Sequence, residues 1–465
     1  MAAFFAMATA GSVLFLTFLL LQIFRSRKAP AALPNGSLWQ VPLLGETLQF
    51  LNPHKSNNIG GFLQRQCSRY GKVFRSHLFG CPTIVSCDLE LNTFVLQNEE
   101  KYFQSSYPKP IHDVLGKLSM MLVSGSLHKK LRSVTVGFIN ASRLDFISSI
   151  DSLSAKFVAS LRNKNQLLFF KEAKELTFYL MVKVLLSMEA EDPLPKQFFK
   201  EFQTFMKGFV SLPINIPGNA YSKAVKARKS ISLALKDMIK ERENSIDVAK
   251  EKVDFLDQLI KNASLNDDER VSLLLDLLLA GYETTSGLMA LIVYFLAQSP
   301  ASYQKLREEH EAIRKQGDRM DWEAYKKMEF TYHVINEGLR CGNLVKFVHR
   351  KAIKDVKFKD YMIPEGWQVL PIISATHLDP CLHKYPFEFN PWRWEDTSTV
   401  KKVNPFGGGL RVCPGSDLGK LEIAIFLHHF VLNFRWKLLG DDCPMLYPYL
   451  DFKKGLPLQV ERIKD

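Results

Sequence analysis

The chain has 465 residues, of which 46% are apolar and 23% are charged, and this ordinary globular composition excludes a disordered, collagen-like or disulfide-scaffold protein. Its seven cysteines show no CxxC pair and no zinc-ligand spacing, which indicates a reducing compartment. The net charge of +13 is spread along the chain without fingers, a basic helix or an aromatic RNA-binding motif, so we expect no nucleic-acid partner and favour a membrane surface or an acidic protein.

The N-terminus begins with an uncharged apolar run over residues 3–24, followed by three basic residues within 25–28. At about 1.5 Å per residue this run reaches about 33 Å, enough to cross a bilayer core. The basic cluster then leaves the rest of the chain in the cytosol. A cleaved signal peptide is the alternative, but it would carry its positive charge before a shorter apolar run. We therefore predict a single-pass anchor over residues 1–27 and one catalytic domain over 28–465.

The rest of the chain predicts a fold that is mainly α with a smaller β portion. Apolar residues recur at spacings of three and four from about 90 to 340, which indicates helices. There is no repeat and no Gly/Ser-rich linker in this part, so we expect one large domain. The other predicted elements are a helix at 60–71, strands at 73–78 and 83–86, β-like alternation at 345–375, loops at 376–412 and a final helix at about 414–431.

One helix, from about 267 to 298, is predicted to be unusually long. Asn266 supplies an N-cap and acids follow it in the first turn, while Ser299-Pro300 ends the helix. About 30 residues at 1.5 Å each give a rod of roughly 45 Å, long enough to cross a domain. A membrane-spanning role is excluded because Asp276 and Glu283 would be costly in lipid.

The middle of this helix reads AGYETT over residues 280–285. Gly281 permits a local opening of the helix, from which the Thr284 hydroxyl can contact a ligand and Glu283 can relay a proton. The alternative is a threonine whose hydroxyl bonds only to its own i−4 carbonyl.

The strongest motif is FGGGLRVCPG, residues 406–415. Its glycines allow a tight bend that can approach a flat ligand closely, and Pro414 suits the first turn of the next helix. Cys413 would then lie near a helix N-terminus, where the dipole favours a thiolate, and Arg411 can pair with an anionic group. Such a thiolate suits haem iron. A buried structural cysteine is the alternative.

The ten-residue segment resembles the haem-binding signature of the cytochrome P-450 family, Phe-x-x-Gly-x-Arg-x-Cys-x-Gly, at every fixed position. Further motifs occur in the family's order, so the resemblance covers essentially the whole chain after the anchor. It implies the P-450 fold, haem b held by Cys413, monooxygenation of a substrate with dioxygen, electrons from NADPH through NADPH-cytochrome P-450 reductase, and an endoplasmic reticulum membrane. The residues it implies are Glu283 and Thr284 for proton delivery, His128, Arg132, Arg350, Phe406 and Arg411 as haem contacts, and Glu337, Arg340 and Arg393 as a structural lock.

Two positions depart from the family pattern. His128 stands where a tryptophan is common, although both side chains can donate a hydrogen bond to a haem propionate. Asn343-Leu344 lacks a proline that is often found there, which leaves the course of the following strand open. Each arginine carried over can alternatively be an ordinary surface residue.

Among P-450s the chain is similar to plant members, in particular to the steroid 22-hydroxylases of brassinosteroid synthesis. This resemblance implies a sterol substrate hydroxylated at C-22 inside a long apolar cavity. The alternatives are a hydroxylase of another plant terpenoid or hormone, such as a diterpenoid or abscisic acid, and a catalytically silent haem-bound sterol-binding protein. The segments that carry the similarity are 43–48, 106–108, 115–120, 343–351 and 390–394, and the implied cavity walls are 115–122, 202–210, 277–280 and 344–347.

Overall fold

The computed structural model describes residues 33–37, 45–209, 211, 216–244, 254–317, 320–447 and 449–463. The predicted anchor over 1–27 lies outside the described residues, and its boundary with a domain at 28–465 stays a prediction. The helices described are α1 (Thr47–Phe50), α2 (Gly61–Tyr70), α3 (Leu89–Gln97), α4 (Lys109–Leu115), α5 (Gly125–Ala141), α6 (Arg143–Ser160), α7 (Phe169–Leu186), α8 (Pro193–Met206), α9 (Ala220–Asn244), α10 (Phe255–Lys261), α11 (Asp267–Ala297), α12 (Pro300–Gln316), α13 (Trp322–Lys326), α14 (Glu329–Gly342), α15 (Ile373–His377) and α16 (Ser416–Asn433).

The strands are short and lie mostly near the two ends of the catalytic part. They are β1 (His54–Lys55), β2 (Val73–Leu78), β3 (Cys81–Ser86), β4 (Phe103–Ser105), β5 (Gln166–Leu168), β6 (Arg350–Ala352), β7 (Val356–Phe358), β8 (Tyr361–Ile363), β9 (Gln368–Pro371), β10 (Phe434–Leu438), β11 (Pro444–Tyr447), β12 (Tyr449–Phe452) and β13 (Pro457–Arg462). The predicted class, mainly α with a smaller β portion, is confirmed.

The largest sheet joins the first part of the domain to a segment more than 200 residues later, in the order β2-β3-β9-β6-β4. Strands β2 and β3 form an antiparallel hairpin that pairs Leu78 with Cys81. The two residues between them, Phe79 and Gly80, both have positive φ, as a tight primed hairpin turn requires. Strand β3 then pairs in parallel with β9, with Ile84 opposite Val369.

Helix α11 forms the centre of the helical part. It begins with the capping box that the sequence predicts, since Asn266 Oδ1 accepts from Glu269 N and Glu269 Oε2 accepts from Asn266 N, at 2.9 and 3.0 Å. The helix is apolar and long enough to cross a membrane, but most of that stretch is buried inside the fold. It is therefore a core helix, which packs along α7, α14 and α16.

A glycine in α11 permits close helix packing. A Cβ atom on Gly281 would lie 2.4 Å from Met181 Sδ on α7, which is too close for two non-bonded atoms. The backbone of α11 is an unbroken α-helix through this position, so the predicted local opening at Gly281 is not present. The missing side chain instead lets α7 approach the centre of α11.

A buried cluster of charges fixes α14 to the loops that lead toward Cys413. Arg340 donates to both carboxylate oxygens of Glu337 at 2.7 and 2.9 Å, and both side chains are fully buried. Arg393 Nε contacts Glu337 Oε1 at 3.3 Å. Burial alone would raise the pKa of Glu337, but the hydrogen bond and charge of Arg340 lower it. Arg340 also donates to the carbonyl oxygens of His377 and Pro386 at 2.8 and 2.7 Å.

The course of the chain after α14 depends on Asn343. This residue lies in the segment that lacks the proline noted in the sequence. Asn343 caps α14 in the left-handed conformation, with φ of 48°. Its amide donates to Ser56 O at 3.0 Å, and its side-chain oxygen lies 3.1 Å from His377 Nδ1. Asparagine tolerates this backbone conformation better than most residues, so it sets the turn toward the strands without a proline.

We predict that Glu337→Gln lowers the free energy of unfolding by about 3–5 kcal/mol, because it leaves the buried Arg340 guanidinium without its counter-charge. The matched control is Glu323→Gln, which removes an exposed carboxylate paired at the same i,i+3 spacing with Lys326. The control should change stability by less than about 0.5 kcal/mol. Urea unfolding followed by far-UV circular dichroism measures both, and equal effects of the two substitutions would contradict the assignment.

Candidate active site

The segment before α16 forms a tight loop, residues 406–413, which we call the cysteine loop. Gly407 and Gly409 take positive φ values of 73° and 65°, and a Cβ on Gly409 would lie 2.1 Å from Leu96 O. The loop closes through a 3.0 Å hydrogen bond from Cys413 N to Phe406 O. The glycines thus allow both the bend and the close approach to α3.

The helix after the loop begins later than predicted. Its first residue is Ser416 and Gly415 stands at the N-cap, so Pro414 precedes the helix and is not in its first turn. The prediction that Pro414 lies in the first turn of the helix was therefore wrong, because the helix begins two residues after it. Cys413 still lies just before the N-terminus of α16, at the edge of the core.

The environment of Cys413 has opposing effects on its thiol. Burial raises the pKa of the Cys413 thiol, and this effect outweighs the Gly415 backbone N–H and the Arg132 charge, which lower it. The expectation that the helix terminus alone favours a thiolate therefore neglects burial. A bound metal ion removes the proton from a coordinating thiol, and the Gly415 N–H and Arg132 are placed to stabilise the resulting anion.

Two of the predicted arginines, Arg350 and Arg411, meet at a carboxylate that sequence reasoning missed, Glu99, and the third, Arg132, binds the cysteine loop nearby. Arg411 Nε donates to Glu99 Oε1 at 2.5 Å, and Arg350 Nε lies 2.8 Å from Glu99 Oε2. Arg132 Nη1 donates to Val412 O at 2.6 Å, within the cysteine loop. Glu99 is 4% exposed. It follows α3 without any motif around it, so nothing local in the sequence marks it.

Arg411 also binds a second segment, residues 116–124, which we call the cavity loop. Its guanidinium donates to Met121 O at 3.2 Å, to Val123 O at 2.6 Å and to Ser124 Oγ at 3.0 Å. One arginine therefore holds the cysteine loop, Glu99 and the cavity loop together.

His128 is buried on α5 beside the same charges. Burial is the largest cause that lowers the pKa of His128, and the charges of Arg411 and Arg132 lower it further. The neutral imidazole keeps one N–H for donation to an anionic group. Donation from His128 to a haem propionate stays a prediction.

A short strip of α11, which includes the predicted Thr284, is exposed. Ala280 and Thr284 are exposed, and Asp276 and Leu279 are partly exposed, in a helix that is otherwise largely buried. These residues are therefore accessible along one stretch of an otherwise buried helix. Thr284 Oγ1 donates to Ala280 O at 2.6 Å, which is the i−4 contact considered above. Its oxygen can still accept a hydrogen bond from the open side.

Glu283, the neighbour of Thr284, is bound to α7. Its Oε1 pairs with Lys174 Nζ at 2.9 Å, a contact that the sequence does not indicate. Within the described residues its buried Oε2 has no hydrogen-bond partner. Glu283 thus stands next to Thr284 in the chain, with one oxygen paired with Lys174 and the other buried.

A second buried acid joins α11 to α16. Glu422 is 2% exposed, and burial raises its pKa to about 8, while a hydrogen bond with Thr285 works in the opposite direction. At neutral pH the Glu422 side chain is therefore mostly a neutral acid. It ties the turn that carries Thr284 to the helix that follows Cys413, and no motif used in the sequence analysis includes it.

The residues around the cysteine loop fit a haem. Arg350 and Arg411 share one carboxylate and Arg132 donates to a backbone carbonyl, so the three guanidinium groups carry a surplus of positive charge that suits two propionates. Within the described residues Arg350 Nε has no hydrogen-bonded acceptor despite its short distance to Glu99. Cys413 supplies the thiolate chemistry that haem iron requires.

The comparisons agree with this arrangement. The profile of the cytochrome P450 family matches residues 34–454. A solved structure of retinoic acid-bound cyanobacterial CYP120A1 superposes with a TM-score of 0.84 at 27% identity, covering 93% of this chain and 99% of that one. The chain therefore belongs to the cytochrome P450 family, whose members are haem-thiolate monooxygenases, and the predicted fold and family are confirmed.

Plant relatives are more similar in sequence. Cytochrome P450 724B1 of Oryza sativa subsp. japonica is 51% identical over 443 residues, or 92% of each chain. Cholesterol 22-monohydroxylase CYP90B52 of Paris polyphylla is 45% identical over 451 residues, or 94% of this chain and 95% of the relative. A steroid (22S)-hydroxylase of Brachypodium distachyon is 42% identical over 453 residues, or 94% of this chain and 89% of the relative.

We predict that Glu422 makes the protein less stable at high pH. Its pKa rises from the ordinary value of 4.5 to about 8 on folding, so the folded state holds its proton more tightly. The stabilising contribution is complete below about pH 4.5 and is lost as the pH rises through about 8. Glu422→Gln should therefore show a smaller loss of stability than wild type between about pH 6 and about pH 9, measured by thermal unfolding. If Glu422→Gln and wild type lost the same amount of stability between these two pH values, the prediction would be contradicted.

Proposed function

We propose that the protein is a membrane-anchored sterol monooxygenase that hydroxylates the side chain at C-22 in brassinosteroid biosynthesis. The observation that carries the chemistry is the cysteine loop, with its surplus of guanidinium charge, together with the exposed strip of α11. The names of the relatives, cholesterol 22-monohydroxylase and steroid (22S)-hydroxylase, support the substrate class and the position of hydroxylation.

In this proposal the Cys413 thiolate would bind the iron of haem b. Arg132, Arg350 and Arg411 would hold the propionates, and His128 would donate to one of them. Phe406, the first residue of the cysteine loop, packs against the apolar core, and the Lys420 ammonium lies 5.4 Å from its ring centre. When bound, haem supplies the activation of dioxygen and the insertion of one oxygen atom into a C–H bond.

The substrate cavity suits an apolar molecule. Large apolar side chains remain exposed on segments expected to form its walls: Met121 is 44% and Val345 is 42% exposed. A rigid sterol would cover such surface and exclude water from it. Part of the expected wall is core instead, since Phe202 is fully buried and packs 5.5 Å from Phe178.

Thr284 and Glu283 are the groups we propose for proton delivery to dioxygen. Thr284 is exposed on α11, and Glu283 lies next to it with its second oxygen unpaired within the described residues. Lys174 holds the Glu283 carboxylate in one position, so proton transfer would pass through the free oxygen.

We further propose that electrons come from NADPH-cytochrome P-450 reductase at the endoplasmic reticulum. The net charge of +13 suits an acidic partner. Lys129, which is 63% exposed on α5, offers one such basic group near the haem-binding elements. The apolar run at residues 3–24 supports a single-pass anchor, with the catalytic domain in the cytosol and in contact with membrane lipid.

The test of this function is turnover of a panel of plant sterols and cholesterol by the haem-loaded protein with reductase and NADPH. We expect a 22-hydroxylated product, identified by mass spectrometry and nuclear magnetic resonance. The control Cys413→Ala should lose the reduced carbon-monoxide band of a haem-thiolate and all product. Turnover of a diterpenoid or abscisic acid in place of sterols, or haem-dependent sterol binding without product, would overturn the proposal.

We predict that Thr284→Val keeps sterol binding but uncouples the reaction. Valine has the same shape without the hydroxyl, so the cavity is preserved while proton delivery is impaired. NADPH consumption should continue, with product formation reduced by about tenfold or more and hydrogen peroxide released in its place. Fully coupled turnover by this variant would remove Thr284 from the mechanism.

A further inference from the structure

Asp276 is an acid in the apolar part of α11 that the proposed chemistry does not use. It lies eight residues before Thr284, which is about 12 Å along the helix. Its carboxylate is deep within the molecule, but part of the residue is exposed, on the same face of α11 as Ala280 and Thr284. A buried acid in such a place needs partners that compensate for the loss of water.

The partners of Asp276 are in the cavity loop. Met120 N donates to Asp276 Oδ2 at 2.6 Å, and the Ser119 side chain also hydrogen-bonds the carboxylate. Ser119 is fully buried and organises the loop, because its carbonyl accepts from Leu122 N and Val123 N at 2.9 and 3.0 Å. Asp276 therefore holds the residue around which the loop turns.

A positive charge supports the same contact from α9. Arg228 Nε donates to Leu115 O at 3.0 Å, directly before the cavity loop. The charge of Arg228 lowers the pKa of Asp276, and Arg228 is itself influenced by Asp268. Gly116 permits this approach, since a Cβ there would lie 1.9 Å from Arg228 Nη2.

The opposite side of the cavity loop is bound to the cysteine loop. Arg411, two residues before Cys413, donates hydrogen bonds to the carbonyl oxygens of Met121 and Val123. The cavity loop is thus fixed at one side by Asp276 on α11 and at the other by Arg411 of the cysteine loop. A change at Asp276 would free only the distal attachment and leave the haem contacts in place.

We propose that Asp276 is a positioning residue that fixes the cavity loop over the bound substrate, and that its negative charge sets the affinity for that substrate. The identity of the substrate as a sterol rests on the function proposed above, but the attachment of the loop does not. The carboxylate forms stronger hydrogen bonds to Met120 N and the Ser119 hydroxyl than a neutral acid would.

This attachment makes substrate affinity dependent on pH. Burial raises the pKa of Asp276 to about 7, against the opposing effects of Met120 N–H, the Ser119 hydroxyl and Arg228. Above this pH the carboxylate is ionised and the loop is held firmly. Below it the acid is neutral, its hydrogen bonds weaken, and sterol should bind less tightly.

The test uses the haem-loaded full chain with Asp276→Asn, which keeps the size of the side chain but removes its charge. Sterol affinity is measured by titration of the haem spin-state spectrum at about pH 6 and about pH 8. At about pH 8 we expect the variant to bind sterol roughly tenfold more weakly than wild type does. The affinity of the variant itself should be the same at both pH values. Wild type should bind more tightly at the higher pH.

Two further variants separate the attachment from general charge effects. Ser119→Ala removes one hydrogen bond to the carboxylate and should weaken sterol binding in the same direction, by a smaller factor. Asp267→Asn removes an exposed charge from the first turn of the same helix, where it pairs with Arg270, and should behave as wild type. A response of Asp267→Asn equal to that of Asp276→Asn would overturn the proposal.

Hydrogen exchange of the substrate-free holoprotein tests the loop independently of the ligand. Peptides covering residues 116–124 should exchange faster in Asp276→Asn, while peptides covering 406–413 should not change. Equal exchange of the cavity loop in both proteins, or an unchanged sterol affinity and pH profile, would overturn the inference. If wild type binds no sterol but the loop exchange rises as expected, the substrate proposal fails and the positioning role of Asp276 stands.

Discussion

The arrangement of the active site depends on Glu99, the buried carboxylate that Arg350 and Arg411 share. Strand β6 and the cysteine loop both place a guanidinium against it, and Ser105 N on β4 donates to its Oε1 at 3.0 Å. Separating a buried carboxylate from such partners has a high energetic cost, because it leaves buried charges uncompensated. The elements that carry these groups are therefore held in one arrangement. The same arrangement leaves positive charge unbalanced, which suits an anionic cofactor beside Cys413.

Local signals in the sequence were sufficient to predict the main helices and strands and to identify the motif residues. The long helix was predicted at 267–298 and found at Asp267–Ala297, because its capping box and its terminating Ser-Pro lie within a few residues of the ends. The helix at 60–71 and the strands at 73–78 and 83–86 were also confirmed, since the hairpin turn between them is encoded by neighbouring residues. The resemblance to a known family supplied the functions of residues that no local pattern could assign.

The partners of those residues could not be predicted, because they come from distant segments of the chain. Glu99 with Arg411, Lys174 with Glu283, Thr285 with Glu422 and Met120 with Asp276 are brought together only by packing. The acidity of Cys413 was misjudged for a related reason: the helix terminus is visible in the sequence, whereas the burial that opposes it is not. The start of α16 at Ser416 was missed because Gly415, and not Cys413, stands at its N-cap.

The central claim is that Cys413 binds haem iron while Arg132, Arg350 and Arg411 hold the propionates. The most direct measurement is a crystal structure of the haem-loaded protein, with anomalous diffraction at the iron absorption edge. The account predicts an iron peak at bonding distance from Cys413 Sγ, with both propionates against the three guanidinium groups. Iron bound to another side chain, or propionates turned away from these arginines, would contradict it.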